Sequence, residues 1–352
     1  NEILLEIRDN GIGISPKDLP RITDKGYTGT TGRNYQKSTG MGLYLCKKLC
    51  SKLQLSFYIE SKEEEYTKVT IGFPRNSMIF LNEECSDRRF TMFADYHVHS
   101  HFSEDTDFPM ELEIQKAIKL GMDELCFTEH SDYDVPTVVN CDYDAYFEEM
   151  EKMKDKYKGQ ITLKTGIEFG IQTHTTKAYE ETFRQYPFDF VIFSCHQVEN
   201  KEYWRQEPQE GKTQLEYNRR YYQEILDVVK VYKDYSILGH LDVIKRYDKQ
   251  GEIEFEKIQD LIEQIFEVVI ADGKGIELNT SSRAYKLKSL MPSKEILKLY
   301  HDMGGKIITI GSDAHNADRI GDCVMESQKI LKDIGFDGIY TFEKMKPEFH
   351  RF

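Results

Sequence analysis

The stretch ADYHVHSHFSEDTD, residues 94–107, decides how the rest of the chain is read. Asp95, His97, His99 and His101 alternate with Tyr96, Val98 and Ser100, so in a strand they share one face. Asp105 follows within the next turn. An isolated H-x-H is more often a solvated polar strand face than a pair of ligands, but the later strand-like runs reverse that preference. Strands are expected at Phe93–His97, Glu124–Thr128, Thr162–Glu168, Phe188–Ser194, Ser236–Leu241, Gly275–Asn279 and Lys306–Gly311. Their ends read His97-Val98-His99, Thr128-Glu129-His130, Gly166-Ile167-Glu168, Ser194-Cys195-His196, Gly239-His240-Leu241-Asp242, Asn279-Thr280-Ser281 and Ser312-Asp313-Ala314-His315. Six of the seven ends carry a His or a carboxylate, which asks for a common cause. Convergence on a cluster of metal ions supplies one. Imidazole and carboxylate ligands suit Zn²⁺, Fe or Mn²⁺, and no Cys holds a ligand position as it would in a structural zinc site.

Helical stretches near 110–120, 143–157, 177–185, 213–232, 255–272, 293–303 and 321–333 alternate with these strands. Seven such repeats predict an α/β protein with a closed or nearly closed barrel, whose chemistry gathers at the C-terminal strand ends. An open doubly wound sheet is the alternative architecture.

A net charge of −14 leaves no excess of cations to displace phosphate counterions, so neither nucleic acid nor a membrane is an expected partner. A small anionic substrate stays compatible, because bound metals reverse the local field. No run is long enough to span a bilayer and no signal peptide pattern is present. Seven scattered Cys, with no C-x-x-C pair and several inside apolar runs, fit free thiols in a reducing cytoplasm. The chain opens Asn1-Glu2-Ile3 without Met, as a fragment or a processed chain would.

Residues 1–76 differ from the rest. A strand pattern at Glu2–Arg8 runs into Asp9-Asn10-Gly11-Ile12-Gly13-Ile14, and a Gly/Thr/Lys-rich loop from Asp24 to Gly40 leads to GMGLYLCKKLCSKL. Two more strand-like runs follow, Gln54–Ser61 and Tyr66–Pro74. A glycine-rich entry to a helix offers amides to phosphate. DNGIGI and GMGLYL at this separation resemble the C-terminal half of the ATP-binding domain of sensor histidine kinases, the GHKL ATPases. That resemblance implies Asp9 at the adenine amine, Gly11 and Gly13 shaping a pocket, and Thr28–Gly42, with Gly40 and Gly42, as an ATP lid. The family's upstream helix with its Mg²⁺-binding Asn has no counterpart, nor has a phospho-accepting His. Residues 1–76 are therefore expected to be a truncated remnant fused to something else, or the tail of a longer kinase. Residues 77–92 form the junction, with 93–352 beyond it.

Over residues 94–345, DYHVHSHFSED, CFTEHSD, GIEFG, GHLD, ELNTS and TIGSDAH closely resemble, in order and spacing, the polymerase-and-histidinol-phosphatase (PHP) family and its histidinol-phosphate phosphatases. The resemblance implies a distorted (β/α)7 TIM-like barrel and three divalent metal ions. His97, His99, Glu168 and Asp313 would hold the first. Glu168 would bridge to a second completed by His196 and His240, and Asp105, His130 and His315 would hold the third. Asp105 stands where many members carry His, a change that could favour Mn²⁺ or weaken the third site.

A phosphate monoester dianion resists attack by water, so charge must be neutralised and a nucleophile supplied. A bridging water acidified between metals would serve, and no Ser, Cys or phospho-Asp motif offers a protein nucleophile. Arg219, Arg246 and Arg283 are candidates for the phosphate pocket, since an Arg fork matches phosphate geometry, although each is about as well read as a surface ion pair. His101 is a candidate phosphate ligand or proton donor. Asp95 and Asp242 are expected to orient imidazoles, and Glu129 either does so or simply ends a polar strand. The implied reaction is hydrolysis of L-histidinol phosphate, the phosphatase step of histidine biosynthesis. The alternatives are another small phosphate ester in the same barrel, or a nucleotide-binding signalling protein built on residues 1–76.

Overall fold

In the computed structural model, which describes residues 2–29, 39–52, 55–74 and 91–352, the chain divides into the units Asn1–Phe90 and Thr91–Phe352. The expected junction at 77–92 lies almost wholly outside the described residues, as does most of the expected lid at 28–42. In the first unit β1 (Glu2–Asp9), β2 (Ser56–Lys62) and β3 (Tyr66–Pro74) pair antiparallel in the order β1-β3-β2, with helix α1 at Gly42–Lys52. Gly13 adopts φ 64°, and a Cβ there would collide with the Lys62 carbonyl, so this glycine serves a close backbone crossing. Asp9 folds back to accept from the Gly11 amide at 2.8 Å and is exposed. Leu4, Leu5 and Ile7 of β1 and Leu45 and Leu49 of α1 are also exposed.

The second unit is built on seven parallel strands: β4 (Ala94–Val98), β5 (Glu124–Ser131), β6 (Thr162–Gly170), β7 (Phe190–Ser194), β10 (Ile237–Leu238), β11 (Gly275–Asn279) and β12 (Ile308–Gly311). They lie in the order β12-β11-β10-β7-β6-β5-β4. β8 (Gln197–Val198) and β9 (Lys201–Glu202) make a small ladder beyond β7. Runs such as FVIFS in β7 are buried at every position, as expected of a parallel strand covered on both faces. Helices α2 (Met110–Leu120), α3 (Tyr143–Lys156), α4 (Thr176–Gln185), α5 (Gln214–Val231), α6 (Gln259–Ala271), α7 (Lys294–Asp302) and α8 (Val324–Ile334) follow the strands. Thr213 and Glu216 close a capping box at the start of α5, satisfying two of its free amides. No helix among the described residues is long and apolar enough to cross a membrane.

The sheet curls into a nearly closed barrel, not the open alternative. Its first and last strands meet only at their C-terminal ends. Val98 bridges Ala314 in parallel, the His99 amide donates to the Ala314 carbonyl at 2.8 Å, and the Asp313 amide donates to that of His97 at 2.8 Å. β10 is shorter than expected, because the chain leaves the ladder at Gly239, where a Cβ would meet Ile192 and Ser194. A C-terminal hairpin, β13 (Gly338–Glu343) with β14 (Lys346–Arg351), was not expected. It carries Phe342 into a second core cluster with Tyr96, Phe190, Ile192 and Ile237, closing the opposite end of the barrel.

Candidate metal centre

Glu168, at the end of β6, is the hub of the site. Its Oε2 lies 3.1 Å from His97 Nε2, 3.5 Å from His99 Nε2 and 3.0 Å from His130 Nδ1. Its Oε1 lies 3.2 Å from His196 Nε2 and 2.9 Å from His240 Nε2, and accepts from Ser194 Oγ at 2.5 Å. The two oxygens thus face two different sets of imidazoles, the arrangement a bridging carboxylate needs. Asp313, held at φ 53° just past β12, points Oδ1 at His97, His99 and His315, 3.7–3.9 Å away. Asp105 Oδ2 sits 2.8 Å from His315 Nε2 and 3.6 Å from His130 Nε2. The His99 ring stacks between those of His130 and His315, at 4.1 and 4.4 Å. The structure therefore brings all nine expected ligand residues together.

Do these residues fit metal ions? His97 Nε2, His99 Nε2, His130 Nδ1, Glu168 Oε2 and His315 Nε2 are buried and make no hydrogen bond. A convergence of orphaned lone-pair atoms is costly unless a cation satisfies them. Four triads have donor atoms mutually within 4.8 Å: His99/His130/His315, His97/His99/Asp313, His97/Glu168/His240 and His130/Asp132/His196. The clusters are compatible with a polynuclear divalent metal site.

The electrostatics agree. Burial would raise the Glu168 carboxyl, but His97, His196 and His130 hold it well below the carboxylate range. Burial would likewise raise Asp313, and His97, Arg246 and His315 hold it low. Burial works against a proton on His97 and His130, yet the surrounding carboxylates raise both well above the usual range. His99, buried and flanked by other imidazoles, is pushed well below it. Carboxylates that draw protons onto imidazoles draw divalent cations equally well, and the two compete.

Behind the ligands stand residues that fix ring orientation. His97 Nδ1 is 2.7 Å from Glu277 Oε1, and His196 Nδ1 is 2.8 Å from Asp132 Oδ1. His99 Nδ1 is 3.1 Å from Ser103 Oγ, which donates to Glu129 Oε2 at 2.6 Å. Glu129 so takes the orienting option. Gly170 leaves the space that Asp132 fills, since a Cβ there would strike its carboxylate. Glu277 and Asp132 were overlooked as orienting groups, although both stand inside the ELNTS and CFTEHSD strings.

Other expected residues fall elsewhere. Asp95 accepts from the backbone amides of Ser312 and Gly321, 2.8 Å each, so it pins the strand ends and orients no ring. Asp242 turns to Lys245 Nζ at 2.8 Å and the Ser293 amide at 2.9 Å. His101 lies 3.4 Å from Glu149, away from the cluster. Strand β4 ends at Val98, and beyond it the chain turns, so alternation stops applying. Arg219 forks onto Asp260 at 2.7 Å on the exposed side of α5, and Arg283 pairs with Glu326. Arg246 alone of the three lines the cavity over the cluster, a space of about 270 Å³. It donates to Ser281 Oγ at 2.7 Å and Asp313 Oδ2 at 3.1 Å, stacks on Tyr285, and keeps a buried Nε without a partner.

Two family models match the chain. The PHP domain covers residues 95–281, and the histidine kinase-, DNA gyrase B- and HSP90-like ATPase covers residues 1–77. A histidinol-phosphatase of Lactococcus lactis is 32% identical over 257 residues, 72% of this chain and 95% of that protein. A crystal structure of the histidinol phosphate phosphatase of that organism, complexed with zinc, L-histidinol and phosphate, superposes with a TM-score of 0.68. It is 30% identical and covers 73% of this chain and 99% of that one. The sensor protein BceS of Bacillus subtilis is 50% identical over 70 residues, 20% of this chain and 21% of that protein.

Proposed function

The chain belongs to the PHP-domain family, in its histidinol-phosphatase branch, and from that premise we propose that it hydrolyses L-histidinol phosphate to L-histidinol and phosphate. The observation that carries the proposal is the convergence of five imidazoles on the two oxygens of Glu168. His97, His99, Glu168 and Asp313 would hold one ion. Glu168, His196 and His240 would hold a second, and Asp105, His130 and His315 a third. Divalent ions bound there neutralise phosphate charge and make water acidic enough to react near neutral pH.

The protein's own contribution is positional. Glu277, Ser103 and Asp132 each hold a ring Nδ1, which turns Nε2 of His97, His99 and His196 inward. Arg246, pressed onto Tyr285 and fastened to Ser281 and Asp313, holds its guanidinium charge at the cavity wall for a phosphate oxygen. Cys195, the one Cys on the cavity wall among the described residues, donates to the Gln197 carbonyl, and burial raises its thiol, so it is no nucleophile. Water is left to attack phosphorus as the alcohol departs.

We assign catalysis to residues 93–352 and treat residues 1–76 as a separate kinase-like segment. All six described cysteines are free thiols, which supports a cytoplasmic setting and the phosphatase step of histidine biosynthesis. The test combines metal analysis of the purified protein with phosphate release from L-histidinol phosphate and a panel of small monoesters. Absence of bound transition metal, or no turnover after metal loading, rejects the proposal. His240→Ala should remove most of the activity with little loss of fold.

A further inference from the structure

One wall of the cavity does not serve the ions. The only Trp of the chain, Trp204, lines it and remains 42% exposed. Its ring lies 6.1 Å from that of Tyr247, at an interplanar angle of 57°. Tyr285, on the same wall, is half exposed and covers the Arg246 guanidinium at 3.7 Å. Large apolar side chains left open at a concave site usually mark where a ligand supplies the missing contacts.

The turn carrying Trp204 is fastened on three sides. Gln206 Nε2 donates to the Tyr203 carbonyl at 3.1 Å and to the Tyr247 carbonyl at 2.7 Å, tying the turn to its aromatic neighbour. Thr137 Oγ1 donates to Glu202 Oε1 at 2.6 Å, tying it to the loop after β5. Tyr203 is buried and meets Tyr221 edge to face at 5.5 Å. A turn held this firmly carries the indole on a fixed backbone beside Tyr247, which lowers the ordering cost of stacking on it.

We propose that Trp204, backed by Tyr247, is the specificity-determining wall against which a flat, ring-bearing leaving group stacks while its phosphate lies at the Glu168 cluster. This deepens the phosphatase reading and rests on it. The chemistry of the leaving group is complementary. An imidazole is flat, and near its ordinary pKa of about 6.5 it is partly cationic, which the indole face attracts. Glu104 brings a carboxylate to the same cavity, and among the described residues Arg246 is the lining's single Arg or Lys.

The test uses the metal-loaded full chain as wild type, Trp204→Ala and Trp204→Phe. The readout is the ratio of kcat/KM for ring-bearing esters, L-histidinol phosphate and phenyl phosphate, to that for glycerol phosphate. Trp204→Ala should lower this ratio on the order of tenfold, mainly through KM, and Trp204→Phe should restore most of it. With one Trp in the chain, L-histidinol should also shift or quench the intrinsic emission where glycerol does not. A ratio unchanged by Trp204→Ala overturns the proposal, as does emission indifferent to L-histidinol. Wild type that cleaves phenyl phosphate but not L-histidinol phosphate would reject the substrate, while the phenyl-to-glycerol ratio still decides the wall.

Discussion

Glu277 grips the His97 ring from behind: its Oε1 lies 2.7 Å from Nδ1, which leaves Nε2 facing Glu168 at 3.1 Å. The carboxylate fixes the tautomer and makes the ring a stronger donor. Glu277→Gln keeps the shape and removes the charge. Metal affinity should fall roughly 10–100-fold, read by competition against a chelator. Unaltered affinity would reduce Glu277 to a packing role.

Arg246 and Arg219 make a paired test. Arg246→Ala removes a buried cation from the cavity and frees Asp313 from its partner, so kcat/KM should drop by about 100-fold, equivalent to roughly 2–3 kcal/mol. Arg219→Ala breaks an exposed pair with Asp260 and should leave turnover within about twofold. Equal effects of the two would mean that Arg246 does not meet the phosphate.

Glu113, buried on α2, has neither oxygen hydrogen-bonded. Burial, helped by Glu129 and Asp95, pushes its carboxyl up from 4.5 to about 10. The folded state therefore binds this proton more tightly than the unfolded one. The resulting stability is fully present below pH 4.5 and drains away as pH rises towards 10. Glu113→Gln, which cannot ionise, should gain on wild type between pH 5 and pH 8 by on the order of 4 kcal/mol, about 1.4 kcal/mol for each pH unit. Urea denaturation at the two pH values measures it, and parallel curves would show that Glu113 finds a partner in solution.

Phe342 is 2% exposed at the closed end of the barrel, with Tyr96 at 6.4 Å and Phe190 at 5.0 Å between ring centroids. Phe342→Ala should cost about 3–5 kcal/mol in urea denaturation while sparing turnover per folded molecule, because the metal centre is at the opposite end. Loss of activity without loss of stability would contradict that separation.

The strand ends carried most of the site in plain view, since a parallel barrel turns linear recurrence of His and carboxylate into spatial convergence. What stayed hidden depended on directions that sequence spacing does not encode. His101 kept its parity with His97 on paper, but parity ends with the strand at Val98. Asp242 stood at a strand end and was expected to meet an imidazole, while Glu277 lay inside its strand and drew no such expectation. Only the register of β11 beside β12 and the departure of the chain after β10 send Glu277 to an imidazole and Asp242 to Lys245. The β13–β14 hairpin escaped notice because its turn uses positive φ at Lys344 and Met345, with no Gly or Asn to announce it. Ion pairs decided the arginines, and partners such as Asp260 and Glu326 are remote in sequence.

The barrel's ring is fastened at a single seam, and that seam is where the ligands lie. Asp95 Oδ1 accepts from the Ser312 amide across 217 residues of chain, and His97 and Asp313 exchange a backbone bond on the same line. An ion shared by His97, His99 and Asp313 would act as a clasp between the first and last staves of a cask. Removing it should loosen the hoop at that line first, so amide exchange on chelation should quicken in β4 and β12 before β6 or β7. In such a design the same ion would serve the chemistry and hold the barrel shut.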